Sequence, residues 1–477
     1  MHKDKAIMSF RVVGRSLVVW AVLSIMSPVP PTVAQGPDRS PQLDEWGGWT
    51  DVKGRKTGWF HLESRAGRTF LVTPGGNGFV ALGVNHLNAI KGHGPGEPDL
   101  FQTKYRGDWA PFVTELTRQF DDWGFNTVDD GVPLLRSRLP YFASRDLVRT
   151  SKYYQPPGSP RAWEFPDVFD PQVAMRLERD VELYCREHRD NPNLIAYYWT
   201  DTPTWDIQKT RQFRKTDWVS EVRRLPASAP GKRRYAEFLR QRYDNDLARV
   251  SRAYDLGNGV KSVDDLAATD FRGIDLGRYD VARDDEAFLG VIAETYYGLV
   301  GRAMRQNDPH HLIFGEKYLL GDIPPQVLSA ALPFVDAIAV QPGDGYIPIY
   351  TPGDVLPRQE LAELRTQSGK PLMICDHQIG FPTERYPRSI WPYHQRADAA
   401  EAAAATEQFV RDAFARPEVI GYMRCQYIDR FTTFRDAVKL GLIRDDGSPR
   451  EELVGASRAA NAAVKETLHM QLTSPSK

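Results

Sequence analysis

The sequence predicts an α/β fold: a (β/α)8 TIM barrel with an N-terminal β-hairpin and a helical insertion after strand four. Three observations point there. Short apolar runs recur along the chain and several stop abruptly at acidic residues, as in Leu194-Ile195-Ala196-Tyr197-Tyr198-Trp199-Thr200-Asp201 and Leu372-Met373-Ile374-Cys375-Asp376. Continuous runs of this kind mark parallel strands buried on both faces. Between them lie segments with apolar residues three and four apart, the period of amphipathic helices. The length of 477 residues, 41% hydrophobic and 26% charged, suits one such barrel with insertions.

Residues 1–34 combine a basic stretch (His2, Lys3, Lys5, Arg11, Arg15) with the apolar run from Leu17 to Met26 and a Pro-rich segment ending at Ala34. That layout predicts a secretory signal peptide, hence a secreted or periplasmic protein, and the run is too short for a comfortable membrane span. Residues 35–75 read as a linker and a hairpin. Trp59-Phe60-His61-Leu62-Glu63 and Thr69-Phe70-Leu71-Val72-Thr73 alternate in polarity around Ala66-Gly67.

The barrel is assigned to residues 76–470. Its first strand runs from Gly78 to Val84 and ends in Asn85-His86. A helix follows over Asp108 to Trp123, with Phe112, Leu116, Phe120 and Trp123 on one face and Gly124 as its stop. Strand two is Phe125 to Val128, and strand three begins at Tyr141. The helix Pro171 to His188 leads to strand four, which ends at Asp201. Roughly a hundred residues then precede strand five, more than a crossover needs. The insertion, 204–280, is expected to shape a substrate cleft, with Gly231 to Tyr254 helical and Val263 to Asp275 irregular. A helix over Asp285 to Arg305 precedes strand five, His311 to Gly315, which ends at Glu316. Strand six ends at Gln341, strand seven at Asp376, and strand eight covers Val419 to Tyr427, with helices over Gln359 to Ser368 and Asp398 to Phe414 between them.

A net charge of -1 excludes a polyanionic partner such as nucleic acid. Three widely spaced cysteines, Cys185, Cys375 and Cys425, form no disulfide framework, and ten histidines show no ligand spacing, so neither metal nor cofactor is expected.

Barrel chemistry sits where the strands end. Cleaving a glycosidic bond takes one carboxylic acid and one carboxylate, and Asp201 and Asp376 are the predicted pair. Glu316 is a third candidate, replacing one of them or pairing with Lys317. Trp199, Trp205, Gln341, Tyr346, His377 and Gln378 gather stacking rings and amides suited to sugars. Asn85, His86 and Asn126 are expected to bind sugar hydroxyls or to satisfy backbone groups of the barrel floor. Arg424, Gln426, Asp429 and Arg430 form either a substrate-binding cluster or an internal salt-bridge network.

At these residues the chain resembles the retaining (β/α)8 glycoside hydrolases, most closely their β-agarase and β-galactosidase-like branches. The similarity runs through Gly58-Trp59-Phe60-His61-Leu62-Glu63, Leu82-Gly83-Val84-Asn85-His86, Trp123-Gly124-Phe125-Asn126-Thr127-Val128, Tyr235 to Tyr243, and Gly441-Leu442-Ile443. The resemblance implies a hydrolase of poly- or oligosaccharides, with agarose-like galactans as the substrate class. It departs at the catalytic positions. Where such enzymes end strand four in an Asp-Asn-Glu type motif, this chain has Asp201-Thr202-Pro203, so Pro203 stands at the acid/base Glu; Asp376 stands at the nucleophilic Glu. Asp201, two residues earlier on an extended segment, is expected to share that face. Two other readings stay open: an inverting or atypical carbohydrate-active enzyme using Glu316, and a barrel that binds glycans without cleaving them.

Overall fold

The computed structural model describes residues 41–92, 99–257, 259–342, 353–384, 396–431 and 438–474. The expected signal peptide and Tyr346 lie outside them, as does the side chain of Arg430.

The described residues open with an antiparallel sheet of β1 (Trp49–Lys53), β2 (His61–Arg65), β3 (Arg68–Val72) and β4 (Asn77–Phe79), in the order β1-β4-β3-β2. The expected hairpin is β2–β3. Its two-residue turn puts Ala66 at φ 51° and Gly67 at φ 75°, the hand that matches the twist of the strands. The sheet is larger than the hairpin because the run expected as one barrel strand divides at Val80. Asn77–Phe79 pairs with β1 and β3, and only Ala81–Val84 enters the barrel. Phe60, Leu71 and Phe79 pack in one cluster with Phe142, Ile195, Phe314 and Met373, so the sheet plugs the end of the barrel where its strands begin.

The eight barrel strands are β5 (Ala81–Val84), β6 (Thr127–Asp129), β7 (Tyr141–Arg145), β8 (Leu194–Asp201), β9 (Leu312–Leu319), β10 (Ile338–Gln341), β11 (Leu372–His377) and β12 (Val419–Arg424). All pair in parallel, and β12 pairs with β5 to close the ring. Gly83 of β5 is required there, since a Cβ would come 2.3 Å from Met423 Sδ.

The expected helices are present as Trp109–Trp123, Pro171–His188, Tyr279–Asn307, Arg358–Ser368 and Ala399–Phe414. Asp108 caps the first, accepting the Ala110 N–H at 2.9 Å, and Gly124 ends it at φ 77°. A further helix, Glu451–Thr473, was not anticipated. Its Leu453, Ala460, Val464, Leu468 and Leu472 are buried against Ala399–Phe414 and Trp109–Trp123, which closes the outer ring between the last strand and the first. The insertion is more regular than expected, with helices Ile207–Arg214, Trp218–Arg224, Pro230–Arg242, Leu247–Tyr254 and Val263–Ala268. Two buried acids on Tyr279–Asn307 anchor it. Asp284 accepts from Arg242 Nε at 2.7 Å, Tyr243 Oη at 2.8 Å and Tyr254 Oη at 2.9 Å, and Asp285 pairs with Arg211 and Arg223.

Candidate active site

The site is built on a matched irregularity in β8 and β9. Tyr198 and Phe314 fill the lumen with Phe142, ring centroids 5.4 to 5.9 Å apart. Strict alternation from them would carry Thr200 and Glu316 inward. Instead Thr200 takes φ 99° and Gly315 φ 72°, and the pairing shifts so that Asp201 lies opposite Lys317. A side chain at 315 would be strained by that φ, and its Cβ would meet Val335 Cγ1 at 2.8 Å. The consequence is that Asp201 and Lys317 enter the mouth, and Glu316 turns outward.

Lys317 lies between the two predicted catalytic carboxylates. Its ammonium is 3.6 Å from Asp201 Oδ1, 3.0 Å from Asp376 Oδ2 and 5.8 Å from the Tyr198 ring centroid. Burial works against the charge, yet Asp201 and Asp376 outweigh it and hold Lys317 protonated well above the usual lysine range. Asp376 Oδ1 accepts from Asn85 Nδ2 and lies 3.5 Å from His86 Nε2. Asp201 Oδ1 accepts from Gln341 Nε2, and its backbone N–H donates to Asp146 Oδ1 at 2.9 Å. Asp146 also accepts from Tyr154 Oη at 3.0 Å; burial and the neighbouring Asp201 charge push its pKa up. On the other flank the His86 N–H donates to Asp129 Oδ2 at 2.6 Å, and burial raises the Asp129 pKa. Burial disfavours the His86 cation, but Cys425 and Asp376 beside it lift its pKa to about 9.

Seven strand ends thus contribute to one polar ring over an aromatic floor: Asn85 and His86, Asp129, Asp146, Asp201, Lys317, Gln341 and Asp376. The Asp201 side chain is 24% exposed and that of Asp376 only 5%. One carboxylate is therefore open to solvent and its partner is sheltered. His86, Asp376 and Cys425 also offer ligand atoms that all lie within 4.8 Å of one another, a set able to hold a metal ion.

Several expected site residues lie elsewhere. Glu316 is fully buried in an aromatic cage, accepting from Trp205 Nε1 at 2.6 Å and from Tyr297 Oη. Burial pushes its pKa up to about 8. Trp205 is likewise buried, stacked on Trp218 at 4.6 Å, and Trp199 faces Tyr297 of the helix layer, so neither ring offers a face to a sugar. Asn126 braces the barrel, accepting the Leu82 N–H and donating to Val80 O, both at 2.9 Å. His377 stacks on Phe409 at 3.7 Å and bonds Tyr422 Oη at 2.9 Å; burial lowers its pKa to about 3 and keeps it neutral. Gln378 is half-buried beyond it. Met423 faces the lumen, so Arg424 faces the helices, fully buried. Gln426 donates to Ile428 O at 2.6 Å. Asp429 accepts the Gly441 N–H at 2.8 Å and pairs with Arg450, a residue outside the expected cluster. Thr202 takes φ 47°, so the extended segment on which Asp201 and Pro203 would share a face ends at Thr202.

Sequence reasoning offered Lys317 as an ion-pair partner of Glu316, whereas it pairs with Asp201 and Asp376, and it passed over Asp129, Asp146 and Cys425 as site residues. The two aspartates follow the same strand-end logic that selected Asp201. The signal for Lys317 was Gly315, since a glycine inside a strand marks a bulge that exchanges the faces.

No family profile matches the chain. β-Agarase B of Vibrio sp. (strain JT0107) is 19% identical over 505 residues, covering 88% of this chain and 50% of the relative, so the chain spans half that protein's length. Among solved structures, an exo-β-agarase superposes with a TM-score of 0.72 at 18% identity, covering 89% of this chain and 68% of that one. A β-galactosidase from the haloarchaeon Halorubrum lacusprofundi gives 0.54 at 13% identity, with 81% and 58% covered. Across most of its length the chain therefore resembles the β-agarases and, more distantly, a β-galactosidase, whose (β/α)8 fold it shares.

Proposed function

We propose that this chain is an exported glycoside hydrolase of poly- or oligosaccharides, agarose-like galactans first among them, with Asp376 as nucleophile and Asp201 as general acid. The observation that carries this reading is the single Lys317 ammonium contacting both carboxylates. At 3.6 and 3.0 Å from one nitrogen, the two oxygens are no farther apart than the sum of those distances, the bottom of the ~6.5–9.5 Å inverting range. Shorter separations belong to the ~5–5.5 Å retaining geometry, in which the second carboxylate attacks the anomeric carbon. Asp376, sheltered and held by Asn85 and Lys317, suits the attacking role. Asp201 is the more open to a leaving-group oxygen. Galactans as substrate are inferred from the agarase resemblance, and export from residues 1–34; among the described residues no helix is long and apolar enough to cross a membrane.

Reducing-end release from a panel of polysaccharides and aryl glycosides tests the reading. Asp201→Asn and Asp376→Asn should each lower turnover by at least about 100-fold while binding persists. Retained turnover in either variant would overturn the assignment. A second reading is favoured by Pro203 at the acid/base position: a barrel that binds glycans without cleaving them. Binding without release across the whole panel would select it.

A further inference from the structure

We propose that His86, Asp376 and Cys425 form a binding site for one divalent transition-metal ion of the zinc class at the mouth of the barrel. The imidazole nitrogen, carboxylate oxygen and thiol sulfur lie within 4.8 Å of one another. They come from the ends of β5, β11 and β12, three consecutive strands of the wall, so the backbone ladder itself sets their approach. His86 Nε2 and Asp376 Oδ1 are 3.5 Å apart. Two ligands at ~2.0–2.1 Å from a tetrahedral ion are separated by about 3.3 Å, so little movement is needed to bring these two onto one ion. His86 and Asp376 both hang from left-handed backbone, φ 60° and 52°. Non-glycine residues keep that conformation where their surroundings over-determine it, and such positions collect at ligand clamps.

The donor set selects the ion. An imidazole with a thiolate favours zinc, cobalt and their neighbours over magnesium or calcium, which take oxygen ligands. The carboxylate is already oriented by its other contacts, Asn85 on Oδ1 and Lys317 on Oδ2, as supporting partners orient metal-binding carboxylates. On binding, the Cys425 S–H and the His86 imidazolium each give up a proton to solvent, freeing the sulfur and Nε2 lone pairs for the ion. The thiolate and the Asp376 carboxylate together offset the charge of the ion. Three protein ligands leave one position open toward the mouth. The site itself does not depend on the hydrolase reading. One consequence does: an ion on Asp376 engages the carboxylate proposed as nucleophile, so the loaded chain would be inhibited.

The test is a titration of the metal-free full chain with cobalt(II), then zinc. One equivalent should bind and give a near-ultraviolet thiolate-to-cobalt band, which zinc displaces. Cys425→Ser should lose the band, and both Cys425→Ser and His86→Gln should bind zinc at least about 100-fold more weakly, with circular dichroism showing each folded. If one variant fails to fold, the other carries the comparison. Absence of stoichiometric binding or of the band in the unaltered chain, or unchanged zinc affinity in a folded variant, would overturn the proposal whether or not the chain hydrolyses any glycan.

Discussion

A single lysine between two aspartates dictates much of the local chemistry. Removing Lys317 leaves two like charges facing one another, which makes the second ionisation costlier. Lys317→Met should therefore lower kcat and move the acid limb of the kcat/KM profile upward by about one pH unit or more; an unmoved limb would show that the ammonium does not govern the pair. Glu316 supplies the converse case. Burial holds it protonated to about 8, so the folded chain keeps a proton that the unfolded chain releases near 4.5, and stability falls as pH rises through that window. Glu316→Gln carries no such proton. Its Tm relative to the unaltered chain should climb between about pH 5 and about pH 8, with turnover retained. Asp201 and Asp376 were legible in the sequence because each ends an apolar run. The exchange of Glu316 for Lys317 was not, because alternation is broken by the φ of Thr200 and Gly315.

At the scale of elements, the insertion hangs from the helix Tyr279–Asn307 through Asp284 and Asp285. Asp284 receives three donors in a buried setting, so Asp284→Ala leaves Arg242 and two tyrosine hydroxyls without their acceptor and should cost about 3–5 kcal/mol in urea unfolding. A loss below about 1 kcal/mol would mean that the insertion is held by its aromatic contacts instead. The insertion's helices were only partly legible. Those outside the expected Gly231 to Tyr254 segment have six to eight residues, too few turns to show a period, and their starts are marked only by caps at Asp206, Asp217 and Ser262. The helix Glu451–Thr473 did carry a readable period, at Ala460, Val464, Leu468 and Leu472, and was passed over because its alanine-rich sequence has low contrast.

For the whole molecule, the ring of eight strands and the helices between most of them follow from apolar runs and turn residues. The split at Val80 does not, since one continuous apolar run serves two sheets, one plugging the barrel and one forming its wall. That arrangement closes one end with Phe60, Leu71 and Phe79 and leaves the polar ring at the other, which is why the proposed chemistry is concentrated around Asp201, Lys317 and Asp376. The most direct measurement is a mass analysis of the chain after reaction with a 2-deoxy-2-fluoro galactoside bearing a good leaving group. The account predicts one covalent glycosyl adduct, localised to the peptide containing Asp376 and absent in Asp376→Asn. Turnover of that reagent without an adduct, or an adduct on any other carboxylate, would contradict it.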